Sequence, residues 1–445
     1  MAPTALHVAH SHLLASRFAA ALAAVAPIRG NPSADLLYAL ALAGIGEVEA
    51  AAPLLAAIAA ANAKNRHPVL DLLPLLPAAA APAHLRAAAA RRPHDPALPA
   101  ALATILAEIG PMDEALEAFR RVVALAPAEA AGWSNLGKAL AATAQFEAAE
   151  AAFQTARRLT PGDARIAYNQ AITLLKAGRY AEGWPALKVR HALPGRPPPL
   201  PGRRLTDLDI AGRTVLLRHE EGFGDTLQFI RFAPLLADRG ARVIAAVPPG
   251  LRSIVATVPG LKAVHGMNDL PRYDLWAPLL DVPALFVDAV PANTPYFRAG
   301  PPSVALPGGR RVGLVWAGDG AMPLDRQRSL PLDALAPLAE RRDITWISLQ
   351  KGRPAPPWMF DPMSSVQDFA DTAAIVAQLD AVVSVDTAVA HLAGALGKSV
   401  VLLDRYDNCW RWLSGRTDSP WYPRLRIVRQ SSPGDWAGVI AALPL

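Results

Sequence analysis

Cysteine is almost absent from this chain of 445 residues, in which Cys409 stands alone. A single cysteine excludes an internal disulfide and a zinc site built from several thiolates. We interpret Cys409 as a packed thiol rather than a nucleophile. The chain is 52% hydrophobic and 18% charged, which is typical of a globular protein, and its length predicts two or three domains.

Long apolar stretches are missing as well. No run of about 18 apolar residues is free of charge and proline, as a membrane-spanning helix would require. Residues 18–26 are apolar, but they are few and lack the basic flank of a secretory signal. The sequence therefore predicts a cytoplasmic protein without a transmembrane segment.

Basic clusters of the kind that bind nucleic acid are also absent. The formal net charge is +6, but no basic run is interleaved with aromatic residues. We therefore expect no nucleic-acid partner, whereas the mild positive balance suits a small anionic ligand.

A period of 34 residues is present in residues 96–195. Gly110, Ala144 and Gly178 keep this spacing, and so do two further sets: Ala115, Ala149, Gly183 and Phe119, Phe153, Leu187. The period resembles that of the tetratricopeptide repeat, whose unit is a helix–turn–helix that must stack to bury its apolar face. Residues 1–95 are helix-rich, and we interpret them as degenerate repeats. The array could bind a peptide on its concave face or serve as a spacer or dimerisation surface.

Strands alternate with helices after the segment 193–201, which is rich in proline and glycine. The predicted strands are 214–218, 242–247, 273–277, 311–316, 345–349, 381–385 and 399–403. This alternation predicts parallel sheets covered by helices. A second link at 299–309 divides the region into halves at 203–298 and 310–445. The halves predict two Rossmann-like domains that face each other across a cleft.

Two strand-to-helix junctions in these halves carry the candidate site. In the first, Gly222 and Gly224 allow close backbone approach to a ligand, and Asp225 follows them. In the second, Asp386 and Thr387 precede a helical pattern that Gly397 ends. The start of a helix suits a phosphate. An N-capping Asp386 with a core histidine at position 391 explains the same spacing equally well.

Several motifs in order resemble the bacterial tetratricopeptide-repeat glycosyltransferases, whose catalytic half is similar to the lipopolysaccharide heptosyltransferases of glycosyltransferase family 9. They lie at 221–226, 315–318, 348–352, 368–373, 384–397, 410–413 and 418–423. The resemblance covers about residues 96–445. It implies an α-helical tetratricopeptide repeat array followed by a GT-B fold of two Rossmann-like domains.

The resemblance also implies roles for residues that match the family motifs. Asp225 corresponds to the proposed catalytic base, within the loop that contains Gly222 and Gly224. The residues that would bind the donor are Arg328, Gln350, Lys351, Asp386, Thr387, Ala388 and His391. Arg328 and the helix start would bind the diphosphate, and Gln350 and Lys351 are candidates for nucleobase contacts.

The function implied is transfer of a sugar from a nucleotide-sugar donor to a protein or glycan acceptor that the repeats recruit. The donor is then a co-substrate, and no cofactor or metal is expected. The alternative is a non-catalytic repeat scaffold with a degenerate GT-B module. Many relatives have His-x-Asn-Asp-Arg where this chain has Met322 and Leu324 in place of the histidine and asparagine. The tryptophans from Trp410 to Trp421 could stack on a base or sugar, but we interpret them as core residues.

Overall fold

The computed structural model describes residues 5–14, 17–30, 32–61, 70, 73, 81–286, 290–291, 294–320 and 325–444. The chain divides into two compact units. One comprises residues 1–139 and 158–160, and the other comprises 140–157 and 161–445. Within the described ranges, no helix has the length and apolar character needed to cross a membrane.

The N-terminal part of the chain is helical. Its α-helices are Ala5–Leu14, Phe18–Val25, Pro32–Gly44, Val48–Ala61, Ala81–Arg91, Ala97–Ile109, Met112–Leu125, Ala130–Ala142, Phe146–Leu159, Ala164–Lys176 and Tyr180–Leu187. The second helices of the last three pairs begin at Met112, Phe146 and Tyr180, which are 34 residues apart (146−112 and 180−146). The predicted period is therefore confirmed.

The repeat positions that the sequence singles out are buried within these helices. Ala115 and Ala149 are fully buried, and Phe119, Phe153 and Leu187 are at most 6% exposed. At the third position, a Cβ on Gly183 would lie 2.7 Å from Cδ2 of Leu175, so this glycine permits close packing of the last two helices.

Two parallel sheets of five strands form the rest of the chain. The first sheet contains β1 (Arg203–Arg204), β2 (Thr214–Arg218), β3 (Arg242–Ala246), β4 (Leu261–His265) and β5 (Leu275–Pro278), in the order β1-β5-β2-β3-β4. The second contains β6 (Arg310–Val315), β7 (Ile344–Ser348), β8 (Ala381–Val385), β9 (Ser399–Asp404) and β10 (Leu425–Arg429), in the order β10-β9-β8-β6-β7. Every named strand pair is parallel.

Helices connect the strands of each half. The α-helices of the first half are Phe223–Phe229, Ala233–Ala237 and Arg252–Val255. Those of the second half are Asp325–Arg328, Ala336–Ala339, Phe369–Ala377, Ala388–Ala395 and Trp436–Ala441. Parallel strands joined by helical crossovers make each half Rossmann-like. The architecture is thus a helical repeat array followed by a GT-B fold, as expected from the sequence.

The last repeat belongs to the same compact unit as both sheets. Trp184 is 3% exposed, and its ring centroid lies 5.7 Å from that of Phe229 and 5.3 Å from that of Trp410. Trp410, Trp412 and Trp421 are at most 7% exposed, which confirms their interpretation as core residues. The proline-rich segment 193–201 therefore lies inside this unit rather than between two units.

Candidate functional site

The glycine-containing loop joins β2 to the helix Phe223–Phe229. Gly222 caps the helix in an extended conformation, and its N–H donates to Oδ2 of Asp225 at 2.9 Å. The other carboxylate oxygen of Asp225 forms an ion pair with Nη2 of Arg411, and each side chain is 14% exposed. Asp225 thus stabilises its own helix start and holds a cation from the second half.

The starts of two helices meet at this loop. The helices Phe223–Phe229 and Ala388–Ala395 pack against each other. A Cβ on Gly224 would lie 3.5 Å from Cα of Ala388 and 3.0 Å from Cδ2 of His391. Glycine at position 224 therefore permits the close approach that places Asp225 beside the start of the second helix.

The second helix start follows β8 at the carboxyl end of its sheet. Thr387 caps the helix, and its hydroxyl lies 3.1 Å from Oγ of Ser384. Asp386, Thr387 and Ala388 are all half-buried. Backbone N–H groups in the first turn of a helix have no partner within the helix, so this position can accept an anion.

Arg328 lies directly on this junction. Its Nη1 donates to the carbonyl oxygen of Asp386 at 3.1 Å, and its Nε donates to Oδ1 of Asp325 at 2.9 Å. The absence of a side chain at Gly318 makes room, since a Cβ there would lie 2.5 Å from Nη2 of Arg328. The structure therefore brings Arg328 and Asp386 together, although 58 residues separate them.

His391 is inside the protein rather than at its surface. It is 3% exposed, its Nδ1 lies 3.0 Å from the hydroxyl of Tyr422, and its ring stacks on Trp412. Burial, reinforced by the charges of Arg411 and Arg231, lowers the pKa of His391 well below its ordinary value. The imidazole is therefore neutral at pH 7, and it supports the helix start through packing.

Gln350 and Lys351 also direct their polar atoms into the protein. Oε1 of Gln350 accepts from the N–H groups of Trp316 at 3.2 Å and Ala317 at 2.9 Å. Nζ of Lys351 donates to the carbonyl oxygens of Met363 at 2.9 Å and Val366 at 2.6 Å. Both side chains thereby fix the loops that follow β6 and β7.

Three further arginines near these loops were not among the sequence candidates. Arg411 pairs with Asp225, Arg353 donates to the carbonyl oxygen of Gly318 at 3.3 Å, and Arg405 donates to Oε1 of Gln327 at 2.9 Å. Arg353 and Arg405 follow β7 and β9 closely, and this position after a strand was a usable sequence signal. Arg411 lies in the motif at 410–413, but the sequence did not indicate its pairing with Asp225, which is 186 residues away.

Asp404 ends β9 and is 1% exposed. Its Oδ2 accepts from Nε of Arg429 at 2.9 Å, whereas its buried Oδ1 has no hydrogen-bond partner among the described residues. Burial raises the pKa of Asp404 to about 6 and outweighs the opposing effect of Arg429. At pH 7 this group therefore carries a negative charge that its burial disfavours.

The only cysteine is half-buried beside this region. Sγ of Cys409 lies 3.2 Å from Nη1 of Arg411. Burial raises the pKa of the thiol, which disfavours the nucleophilic thiolate. The positions of Met322 and Leu324 lie outside the described residues. Within the described ranges, no group of three or more His, Cys, Asp or Glu residues is placed to hold a metal ion.

The end of the repeat array contacts both loops of the site. Lys176, which is 5% exposed, forms an ion pair with Asp407 in the loop after β9. Arg190, which is 1% exposed, pairs with Glu220 in the loop after β2 at 2.6 Å. These buried cations fix the two loops that carry Asp225 and Arg411.

Comparisons with known proteins find a relative by sequence and partial overlaps with solved structures. No family model matches the chain. Protein FlbA of Caulobacter vibrioides is 26% identical over 410 residues, which cover 79% of this chain and 67% of that protein. The chain combines tetratricopeptide-type repeats with a GT-B fold of two Rossmann-like domains.

Solved structures overlap either the repeats or the module. The match to a MamA structure covers 41% of this chain and 91% of the MamA chain, with 18% identity and a TM-score of 0.26. The match to a glycosyl transferase family 9 protein from Veillonella parvula covers 50% of this chain and 87% of that protein's chain, with 8% identity and a TM-score of 0.36. The match to a chain of the Cut9–Hcn1 complex covers 42% of this chain and 39% of the matched chain, with 22% identity and a TM-score of 0.28. The overlaps are partial, and the fold assignment rests on the repeats and sheets described above.

Proposed function

We propose that this protein transfers a sugar from a nucleotide-sugar donor to a protein or glycan acceptor that the repeats recruit. The observation that carries the proposal is the contact of Arg328 with the carbonyl oxygen of Asp386 at a helix start. Gly224 and Asp225 of the other half lie against the same helix start. One cation, one helix start and one carboxylate thus converge from both halves.

The proposed reaction uses these groups without a metal ion. The acceptor hydroxyl attacks the anomeric carbon of the donor and transfers its proton to Asp225, while the bond from that carbon to the diphosphate oxygen breaks. The departing diphosphate takes the electron pair and is stabilised by Arg328 and the N–H groups around Thr387 and Ala388. A positioned base typically contributes about 10²- to 10⁴-fold in rate.

The remaining sequence candidates act indirectly in this proposal. Gln350 and Lys351 fix the loops after β6 and β7 through hydrogen bonds to backbone groups. His391 stabilises the helix start through packing and its contact with Tyr422. Arg353 and Arg405 join Arg328 as cations around the helix Asp325–Arg328. Arginine suits this task because its planar fork matches phosphate oxygens.

The repeats are proposed to recruit the acceptor. The last repeat contacts the loops that carry Asp225 and Arg411, so an acceptor bound at this repeat would lie beside the proposed site. The concave surfaces of stacked repeats suit extended peptides.

A thermal-shift titration with ADP, UDP, GDP and CMP tests the proposal. A ligand at about 100 times its dissociation constant adds about 2.7 kcal/mol of stability. We expect a shift with one nucleotide that Arg328→Gln reduces and Arg426→Gln, on the exposed face of β10, leaves unchanged. If no nucleotide shifts the transition of the wild-type protein, the non-catalytic scaffold is the better description.

A further inference from the structure

Arg411 connects the two Rossmann-like halves through its guanidinium group. Nη2 pairs with Asp225 and Nε donates to Oε1 of Gln228 at 2.9 Å, both in the first half. Nη1 donates to Sγ of Cys409 at 3.2 Å in the second half, and the group stacks on Trp410 with 4.2 Å from Cζ to the ring centroid. A guanidinium carries more N–H donors than these three bonds use.

The unused donors matter because Arg411 is not fully enclosed. Its side chain is 14% exposed, as is that of Asp225. Arg411 is also within electrostatic range of the carboxylate of Asp386 and of the ring of His391, which belong to the proposed diphosphate site and its support. Because Gly224 lies against Ala388, the ion pair of Asp225 and Arg411 is adjacent to the helix start of the second half.

We propose that Arg411 is a shared cation, which Asp225 and the diphosphate of the donor both bind. This inference rests on the proposed function. In the ligand-free protein the carboxylate of Asp225 is engaged by Arg411 and by the N–H of Gly222. A diphosphate at the helix start draws the guanidinium towards itself, and Oδ1 of Asp225 is then free to accept the proton of the acceptor hydroxyl.

The arrangement makes base activation depend on donor binding. Without a donor, Oδ1 of Asp225 stays paired with Arg411 and is not available to an acceptor hydroxyl. With a donor, the same charge stabilises the leaving group. Coupling between two sites is reciprocal, so Asp225 must in turn weaken diphosphate binding by competing for Arg411.

This reciprocity gives an outcome that a purely structural role for Asp225 would not produce. Asp225→Asn keeps an oxygen that can accept from the N–H of Gly222 but removes the charge that holds Arg411. We expect Asp225→Asn to bind a nucleoside diphosphate about fivefold or more tightly than the wild-type protein. Arg411→Gln should bind it about tenfold or more weakly, and Arg411→Lys should fall between, because lysine keeps the charge but not the fork.

Isothermal titration calorimetry with UDP, ADP and GDP, applied to the full chain, tests these values. Arg416 and Asp418 form a matched, more exposed ion pair, so Arg416→Gln and Asp418→Asn serve as controls and should leave the affinity unchanged. Melting temperatures identify any variant that fails to fold. If Arg411→Gln does not fold, Asp225→Asn and Arg411→Lys are sufficient for the test.

The outcomes separate the two proposals. Tighter binding by Asp225→Asn together with weaker binding by the Arg411 variants supports the shared cation. Wild-type binding that neither residue affects, or that weakens in Asp225→Asn, overturns the shared cation and leaves the proposed function standing. An absence of binding to the wild-type protein overturns both.

Discussion

Gly224 lies against the ring of His391, so no side chain at position 224 separates the two helices of the site. A Cβ at position 224 would lie 3.0 Å from Cδ2 of His391, closer than most Cβ contacts. His391 has little freedom to retreat, because it is stacked on Trp412 and lies within hydrogen-bond distance of Tyr422.

Gly224→Ala should therefore separate the helix starts. We expect a loss of about 1–3 kcal/mol in the free energy of unfolding, typical of overpacking, together with weaker nucleotide binding. Gly162→Ala is the control, since a Cβ there meets nothing within 4 Å. Chemical denaturation of both variants checks this, and equal stabilities would show that the interface yields without cost.

Asp404 predicts a specific dependence of stability on pH. Burial raises its pKa from 3.8 to about 6 in the folded protein. The folded state therefore binds the proton of Asp404 more tightly than the unfolded state does. The stability that this protonation contributes is fully present below pH 3.8 and is lost as the pH rises through about 6. Asp404→Asn lacks this titration.

From pH 7.5 to pH 5, the wild-type protein should gain about 1 kcal/mol of stability relative to Asp404→Asn. Denaturation at both pH values measures the difference. A constant difference between the two proteins would mean that Arg429 keeps the carboxylate ionised throughout this range.

Ala144 adopts a backbone conformation that favours glycine. Its φ is 58°, and the equivalent residue of the next repeat, Gly178, has a φ of 77°. Each follows the end of a helix, where the N–H of the next residue closes the turn, from Gln145 to Leu140 and from Arg179 to Leu174. Only alanine carries the strain of a Cβ at this position.

Ala144→Gly should raise the free energy of unfolding by about 0.5–1 kcal/mol, whereas Gly178→Ala should lower it by about 1 kcal/mol. A Cβ on Gly178 has space, as its nearest neighbour would be 3.9 Å away, so the pair isolates the backbone effect. Denaturant midpoints of the two variants should move in opposite directions, and movement in the same direction would contradict the assignment.

The contacts of Trp184 indicate that the last repeat contributes to the stability of the GT-B fold. Its ring contacts Phe229 of the first half and Trp410 and Trp421 of the second. Trp184→Ala should cost about 3–5 kcal/mol in the unit that contains both sheets. Trp346, which is equally buried but contacts Trp358 in the second half, provides a comparison through Trp346→Ala.

Nucleotide binding distinguishes these two tryptophan variants at temperatures where both are folded. Trp184→Ala should weaken binding more than Trp346→Ala, because Trp410 adjoins Arg411 in the sequence and stacks against it. Equal effects on binding would restrict Trp184 to a role in stability.

The strands were predicted well where they are buried on both faces. β2 and β8 have the bounds that the sequence predicts, because their central residues are fully buried and, apart from Ser384, apolar. β4 and β10 were missed, since β4 is half-exposed and the arginines Arg426 and Arg429 interrupt the pattern of β10. β1 spans two residues and has no pattern of its own.

The site was predicted less completely than the fold. The sequence placed Asp225 and Asp386 at strand-to-helix junctions, and the family resemblance indicated Arg328. The structure brings Arg328 and Asp386 into contact. It did not indicate that Gln350 and Lys351 are engaged by backbone groups, because these contacts depend on loop conformation. The roles of all these residues in donor binding stay predictions.

The proline-rich segment 193–201 has a consequence for exchanging repeats between related proteins. Its composition suggests a boundary between domains. The residues before it, however, belong to the same hydrophobic core as the two sheets. A fragment that begins there would lack Trp184, whose ring covers Phe229, Trp410 and Trp421. The fragment would therefore expose an apolar surface that favours aggregation. A repeat transplant should therefore retain the native helices Ala164–Lys176 and Tyr180–Leu187, and recombination can exchange repeats only upstream of them.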